Sequence, residues 1–226
     1  MSFLVIANFK SHKTQSEVES WLKEVAPLAK SCPATIALAP SFPHLSTIHD
    51  LRSTISLAAQ DVSPFPPGSY TGAVSASQLK DLGVTYCIVG HSERREYFHE
   101  TPMDVANKVK ELVTVGITPI VCLRKGDLAP QRAALDEQLI PSCYFCYEPP
   151  ADIGGTVTAP VEDIKQTISQ ISQIFGTQKV MYGGSVNADN IMSLLPLGIQ
   201  GVIVATACLD SASFNQIIAK LSHAEI

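Results

Sequence analysis

The 226-residue sequence contains one tryptophan, 16 lysines and arginines against 21 aspartates and glutamates, and no apolar run of membrane-spanning length. Each shortage excludes something. A net charge of −5 leaves no basic face to neutralise a polynucleotide backbone, so general nucleic-acid binding is not expected. Without a span of about 20 apolar residues no transmembrane helix is expected, and with no basic segment ahead of the first apolar run no leader is expected; the expected compartment is the cytoplasm. No G-x-G-x-x-G follows the first apolar run, which removes the commonest dinucleotide-binding reading of an open α/β sheet. Linkers, low-complexity tracts and shifts of composition are also missing, so residues 1–226 are expected to form one domain. The six cysteines fall mostly inside apolar runs and suit reduced, buried thiols rather than disulfides. Cys143 and Cys146 have C-x-x-C spacing, but three residues apart on a strand they point to opposite faces, and no metal site is expected.

What remains is apolar material in a regular order. Hydrophobic residues make up 46% of the chain and charged ones 16%, enough side chain for a large interior. Short apolar runs at 3–7, 35–39, 55–59, 86–89, 118–123, 144–147, 180–182 and 202–205 read as strands buried on both faces. Between them lie helix-period segments at 16–30, 102–115, 161–175, 187–195 and 211–221, with a less regular one at 124–141. Ser16 with Glu19 forms a capping-box pattern, and Pro102 suits a first helical turn. Eight alternating units in a chain of this length predict an α/β fold, a single-domain (β/α)8 barrel with a parallel sheet.

Such barrels place their chemistry at the C-terminal ends of the strands. Polar residues stand there: Asn8 and Lys10 after the first run, Gln60 and Asp61 after the third, His91 and Glu93 after the fourth, Glu148 after the sixth, and Gly183-Gly184-Ser185 after the seventh. Lys10 is suited to a phosphate or a developing enolate, Glu148 to general-base work, and Ser185 to presenting its N–H to an anion. His91, behind a glycine and ahead of a polar helix start, faces helix N–H groups that disfavour its cationic form. Singly, each also has an ordinary reading as a surface charge, a strand-end ion pair or a turn. Pro149-Pro150 and Ile153-Gly154-Gly155 read as a stiff hinge, an apolar tip and a flexible hinge of a lid.

Asn8-Phe9-Lys10, Gly90-His91-Ser92-Glu93-Arg94-Arg95, Tyr147-Glu148-Pro149 and Tyr182-Gly183-Gly184-Ser185-Val186 resemble, in order, the signatures of the triosephosphate isomerases, and Gly68-Ser69-Tyr70-Thr71-Gly72 resembles that family's interface loop. The resemblance implies a cofactor-free, metal-free isomerase that interconverts dihydroxyacetone phosphate and glyceraldehyde 3-phosphate in glycolysis and gluconeogenesis. It implies Glu148 as base, His91 as electrophile, and Lys10 and Asn8 as groups that polarise the carbonyl and hold the enediolate. Glu93 then braces Lys10, Ser92 holds Glu148 before closure, and Tyr182 supports the site. Phosphate falls to Gly154, Ser185, Ala205 and Thr206. The partner is a second copy, in a homodimer or homotetramer built through Thr71.

The sequence departs from that family's common form in several places. Ala151 and Asp152 stand where the lid's tryptophan is usual, and with the short segment before Glu148 this resembles the archaeal-type branch. Ala205-Thr206 replace two adjacent glycines, Ala73 replaces the acidic partner expected for Arg94 across the interface, and Asp61 replaces an asparagine. Another barrel isomerase of sugar phosphates, or an inactive relative kept for binding, remain alternatives at this point; the latter is expected to have lost Lys10, His91 or Glu148.

Overall fold

The computed structural model describes residues 2–46, 48, 54–149 and 159–224. Its strands are β1 (Leu4–Asn8), β2 (Thr35–Ala39), β3 (Ser56–Ala59), β4 (Tyr86–Val89), β5 (Thr118–Leu123), β6 (Tyr144–Tyr147), β7 (Val180–Tyr182) and β8 (Gly201–Val204). They pair in sequence order, all parallel, and β8 closes on β1 with Ala7 opposite Val204. The helices are α1 (Gln15–Ala29), α2 (Ala76–Asp81), α3 (Ser92–Tyr97), α4 (Pro102–Thr114), α5 (Leu128–Ala134), α6 (Val161–Phe175), α7 (Ile191–Leu194) and α8 (Ser211–Leu221). The expected (β/α)8 barrel is the fold. No helix among the described residues is long and apolar enough to cross a membrane.

Period-2 alternation divides the apolar residues into two layers. Leu4, Ile6, Ala37, Ile88, Ile120, Cys122, Cys146, Met181 and Ile203 fill the barrel, whereas Val5, Ala7, Leu38, Val89, Val121, Phe145 and Val202 face the helices. Cys143 packs in the outer layer and Cys146 in the inner one, so the C-x-x-C pair does point to different sides. Gly201 opens β8 because a Cβ there would lie 2.3 Å from the Leu4 carbonyl oxygen.

Several local expectations need correction. The capping box of α1 uses Thr14 and Glu17, not Ser16 and Glu19: the Glu17 carboxylate accepts from the Thr14 N–H and from its hydroxyl, both at 2.7 Å. Thr14 is the last extended residue, so the box starts there and Ser16 falls within the first turn. The segment at 187–195 is helical only over α7. Asn187 and Asn190 bond backbone groups around them, holding residues 187–190 in a turn, and the chain tightens into a 3-10 turn at Leu195–Leu197 around Pro196. The segment at 124–141 contains α5 flanked by 3-10 turns, Lys125–Asp127 and Glu137–Ser142.

Candidate active site

The chain leaves β1 through Phe9, which packs edge-on against Trp21 at 5.0 Å and anchors the exit. Lys10 follows with φ +49°, a left-handed conformation costly for a residue with a Cβ. Its N–H donates to Asn8 Oδ1 at 3.0 Å. The ammonium reaches across the mouth to Glu93 Oε1 at 2.6 Å, so the expected Lys10–Glu93 contact is present.

At the end of β4 the chain turns at Gly90, with φ +64°. A Cβ there would meet the Arg95 guanidinium at 2.6 Å. Arg95 is buried and donates to the carbonyls of Gly90 and Cys122 and to Gln131 Oε1, pinning α3 to the ends of β4 and β5. His91 then caps α3: its Nδ1 accepts from the Glu93 N–H at 3.2 Å. A ring that accepts at Nδ1 keeps its proton on Nε2, and Nε2 lies 3.2 Å from Glu148 Oε1.

Glu148 follows β6, its N–H bonded to the Leu123 carbonyl of β5. It is 1% exposed, yet not unsupported, because Oε2 accepts from the Ser92 N–H at 3.0 Å. Ser92 thus holds Glu148 through its backbone. Its buried hydroxyl has no partner among the described residues. Below the carboxylate Cys122 and Cys146 pair in register. Burial foremost, with the Glu148 charge adding to it, pushes both thiols up, so they stay protonated and do not compete as bases. Gly183 must lack a side chain: a Cβ would come within 2.9 Å of Cys146 Sγ and 3.4 Å of Glu148 Cγ. Tyr182 is fully buried, its ring 6.2 Å from that of Tyr147.

Ser185 lies after β7 with φ +45°, its carbonyl accepting from Asn190 Nδ2 at 2.9 Å. Ala205 and Thr206 lead from β8 into the 3-10 turn Thr206–Cys208, and Thr206 is exposed. These loops share the C-terminal end of the barrel with Lys10. Gly154 and the hinge and tip of the expected lid, residues 150–158, lie outside the described residues.

A cavity of about 340 Å³ opens between Asn8, Lys10, Gln60, His91 and Glu93. A second, of about 530 Å³, adjoins it along Asp61, Arg94 and Phe98. Its wall carries a group of charges absent from the expected site. Lys108 on α4, almost fully buried, bonds Asp61 Oδ1 at 2.7 Å and also Glu100; Arg94 bonds Asp61 Oδ2 at 2.9 Å and also Glu100. Burial pushes the Asp61 carboxyl up, and the Lys108 charge opposes it. Arg94 therefore has two carboxylate partners within its own chain. A sequence signal for this cluster existed: Lys108 sits on the apolar stripe of Val105, Val109 and Leu112, where a cation needs a buried anion.

An eight-stranded parallel barrel whose C-terminal mouth joins a buried carboxylate, an Nε2-protonated imidazole and a lysine defines a barrel enzyme of the acid–base class, built to work beside an anion. Comparison with known proteins narrows the class. The family model described as triosephosphate isomerase matches residues 3–221. The triosephosphate isomerase of Thermus thermophilus is 37% identical, covering 93% of this chain and 95% of its own. Those of Orientia tsutsugamushi and Thermodesulfovibrio yellowstonii are each 34% identical, covering 96% and 95% of this chain and 97% of their own. The chain belongs to the triosephosphate isomerase family. The alignment with the Thermus protein runs over 238 positions, more than the 226 residues of this chain, so segments of that relative have no counterpart here.

Proposed function

We propose that this chain interconverts dihydroxyacetone phosphate and D-glyceraldehyde 3-phosphate by proton transfer through an enediolate, as a cytoplasmic enzyme of glycolysis and gluconeogenesis. The observation that carries the reading is the meeting of Glu148, His91 and Lys10, from three separate strand ends, at one mouth. Glu148 is the base that removes the proton from one substrate carbon and returns it to the neighbouring one. It is held near, but not on, that position by the Ser92 N–H. The Nε2 proton of His91 faces the substrate oxygens and moves between them. Lys10 and Asn8 stabilise the negative charge as it develops on the enediolate oxygen, and Glu93 keeps the Lys10 side chain extended across the mouth.

The substrate phosphate binds the backbone N–H groups of Gly154, Ser185 and the Ala205-Thr206 turn, within reach of Lys10, and Tyr182 backs the site from the barrel wall. An enediolate beside a phosphate ester expels phosphate readily in water, so the segment around Gly154 closes over it. No metal or cofactor takes part in these steps. Residues 1–226 act as one catalytic domain.

The active unit is a homodimer or a homotetramer joined through the loop around Thr71. Residues 65–73 of this loop are exposed, and Phe65 stacks on Tyr70 at 4.6 Å rather than folding into the core. Phe98, exposed, lines one cavity with Gly72 and Ala73 of the loop, and Tyr97 and Met103 are exposed as well, apolar groups suited to contact with a second copy.

Conversion in heavy water tests the chemistry. Passage through an enediolate with Glu148 as carrier incorporates deuterium at carbon in the product. Conversion with complete retention of the substrate's hydrogen and no exchange over many turnovers would exclude it.

A further inference from the structure

Lys10 carries the main cation of the proposed site on a strained residue, and no helix or strand holds that residue in place. Its carbonyl oxygen accepts two side-chain hydrogen bonds, from Gln60 Nε2 at 2.8 Å and from Ser41 Oγ at 3.0 Å. Gln60 Nε2 also donates to the carbonyl of Ala39, the last residue of β2, at 2.9 Å. Both amide protons of Gln60 are thereby spent on backbone oxygens, and both lone pairs of the Lys10 carbonyl are occupied. The other end of the residue is fixed by Asn8, which accepts the Lys10 N–H. Gln60 itself directly follows β3, and its neighbour Asp61 is tied to Lys108 and Arg94. The base of this clamp is therefore rigid, while the residue it grips would relax to negative φ if released. Relaxation would swing the Lys10 ammonium away from Glu93 and from the cavity it lines.

We propose that Gln60 is a positioning residue for the isomerisation: its amide, with the Ser41 hydroxyl, holds the Lys10 peptide in the left-handed conformation that aims the ammonium at the substrate. The proposal rests on Lys10 being the cation of the site, and the experiment separates the two claims. Gln60→Met keeps the volume and removes both donors. It lowers kcat/KM about tenfold, as loss of a hydrogen bond to a strained element implies, while the melting temperature falls by no more than a few degrees. Ser41→Ala, which leaves Gln60 in place, lowers kcat/KM about threefold and keeps the proposal testable should Gln60→Met fold poorly.

A double-mutant cycle with Lys10→Met supplies the readout that a merely structural role would not move. Gln60 acts through Lys10, so Gln60→Met costs nothing further in the Lys10→Met background. A Gln60→Met enzyme within twofold of wild type, or one that loses the same factor in both backgrounds, overturns the proposal. A Lys10→Met enzyme as active as wild type overturns instead the reading of the site beneath it.

Discussion

Glu148→Asp is the perturbation whose cost follows most directly from the geometry. The carboxylate now touches the Ser92 N–H at 3.0 Å and lies 3.2 Å from His91 Nε2. Removing one methylene withdraws it by about 1.5 Å, one carbon–carbon bond. Both contacts then open beyond hydrogen-bond range. The side chain cannot recover the distance by moving its backbone, because the Glu148 N–H is bonded to Leu123 within the barrel. A misplacement of ~1 Å in a reacting group costs on the order of 10²-fold, equal to about 2.7 kcal/mol of barrel-mouth positioning at ~1.4 kcal/mol per decade. The loss should fall on kcat, with KM nearly unchanged, since the phosphate-holding groups are untouched. Steady-state assays in both directions, with circular dichroism to verify the fold, are the measurement. A variant within threefold of wild type in kcat would mean that another group removes the proton.

Other expectations concern phosphate, assembly and pH. If the Thr206 side chain is only tolerated beside the phosphate, Thr206→Gly leaves the affinity for a phosphorylated transition-state analogue unchanged or raises it; weaker binding by calorimetry would show that its hydroxyl is a ligand. Because Arg94 is paired with Asp61 and Glu100 inside its own chain and Ala73 offers no carboxylate, dimer dissociation should depend only weakly on salt. Sedimentation across dilution, with activity followed in parallel, checks this; a fully active monomer, or a dimer lost between low and moderate salt, would contradict it. Asp104 caps α4 by accepting from the hydroxyl and the N–H of Thr101, and these bonds, in that order, lower its pKa. Its stabilising contribution is therefore present above the unfolded carboxylate pKa and is lost as pH falls through the lower folded value. Asp104→Asn should melt below wild type near neutral pH, by about 1 kcal/mol as for other caps, and the gap should close in acid.

The barrel was legible because strands buried on both faces leave uninterrupted apolar runs, and the outward turn of alternate residues needs no special chemistry. The ends were less so. β1 extends to Asn8, whose side chain turns back to the Lys10 N–H, and β8 begins one residue early, at a glycine demanded by the approach of Leu4. Neither is visible without the neighbouring strand. The capping box slipped by two residues because two Ser/Thr–Glu pairs overlap there and only the backbone decides between them. The candidate catalytic residues were readable since each stands at the end of a strand or within two residues of it. Of the groups that hold them, Glu93 and Ser92 were expected from the family resemblance, but the grip of Gln60 and Ser41 on Lys10 was not. Gln60 meets the Lys10 carbonyl 50 positions away in sequence, and the left-handed turn at Lys10 leaves no mark on composition.

One assay bears on the central claim more directly than any other. Purified protein given dihydroxyacetone phosphate, with a dehydrogenase that consumes glyceraldehyde 3-phosphate as reporter, should turn over many times without added metal or cofactor for the isomerisation itself. Glu148→Gln, which keeps the shape of the side chain and removes the base, should abolish that signal at an unchanged melting temperature. A folded wild-type protein that leaves dihydroxyacetone phosphate untouched, or a Glu148→Gln variant as active as wild type, would contradict the account.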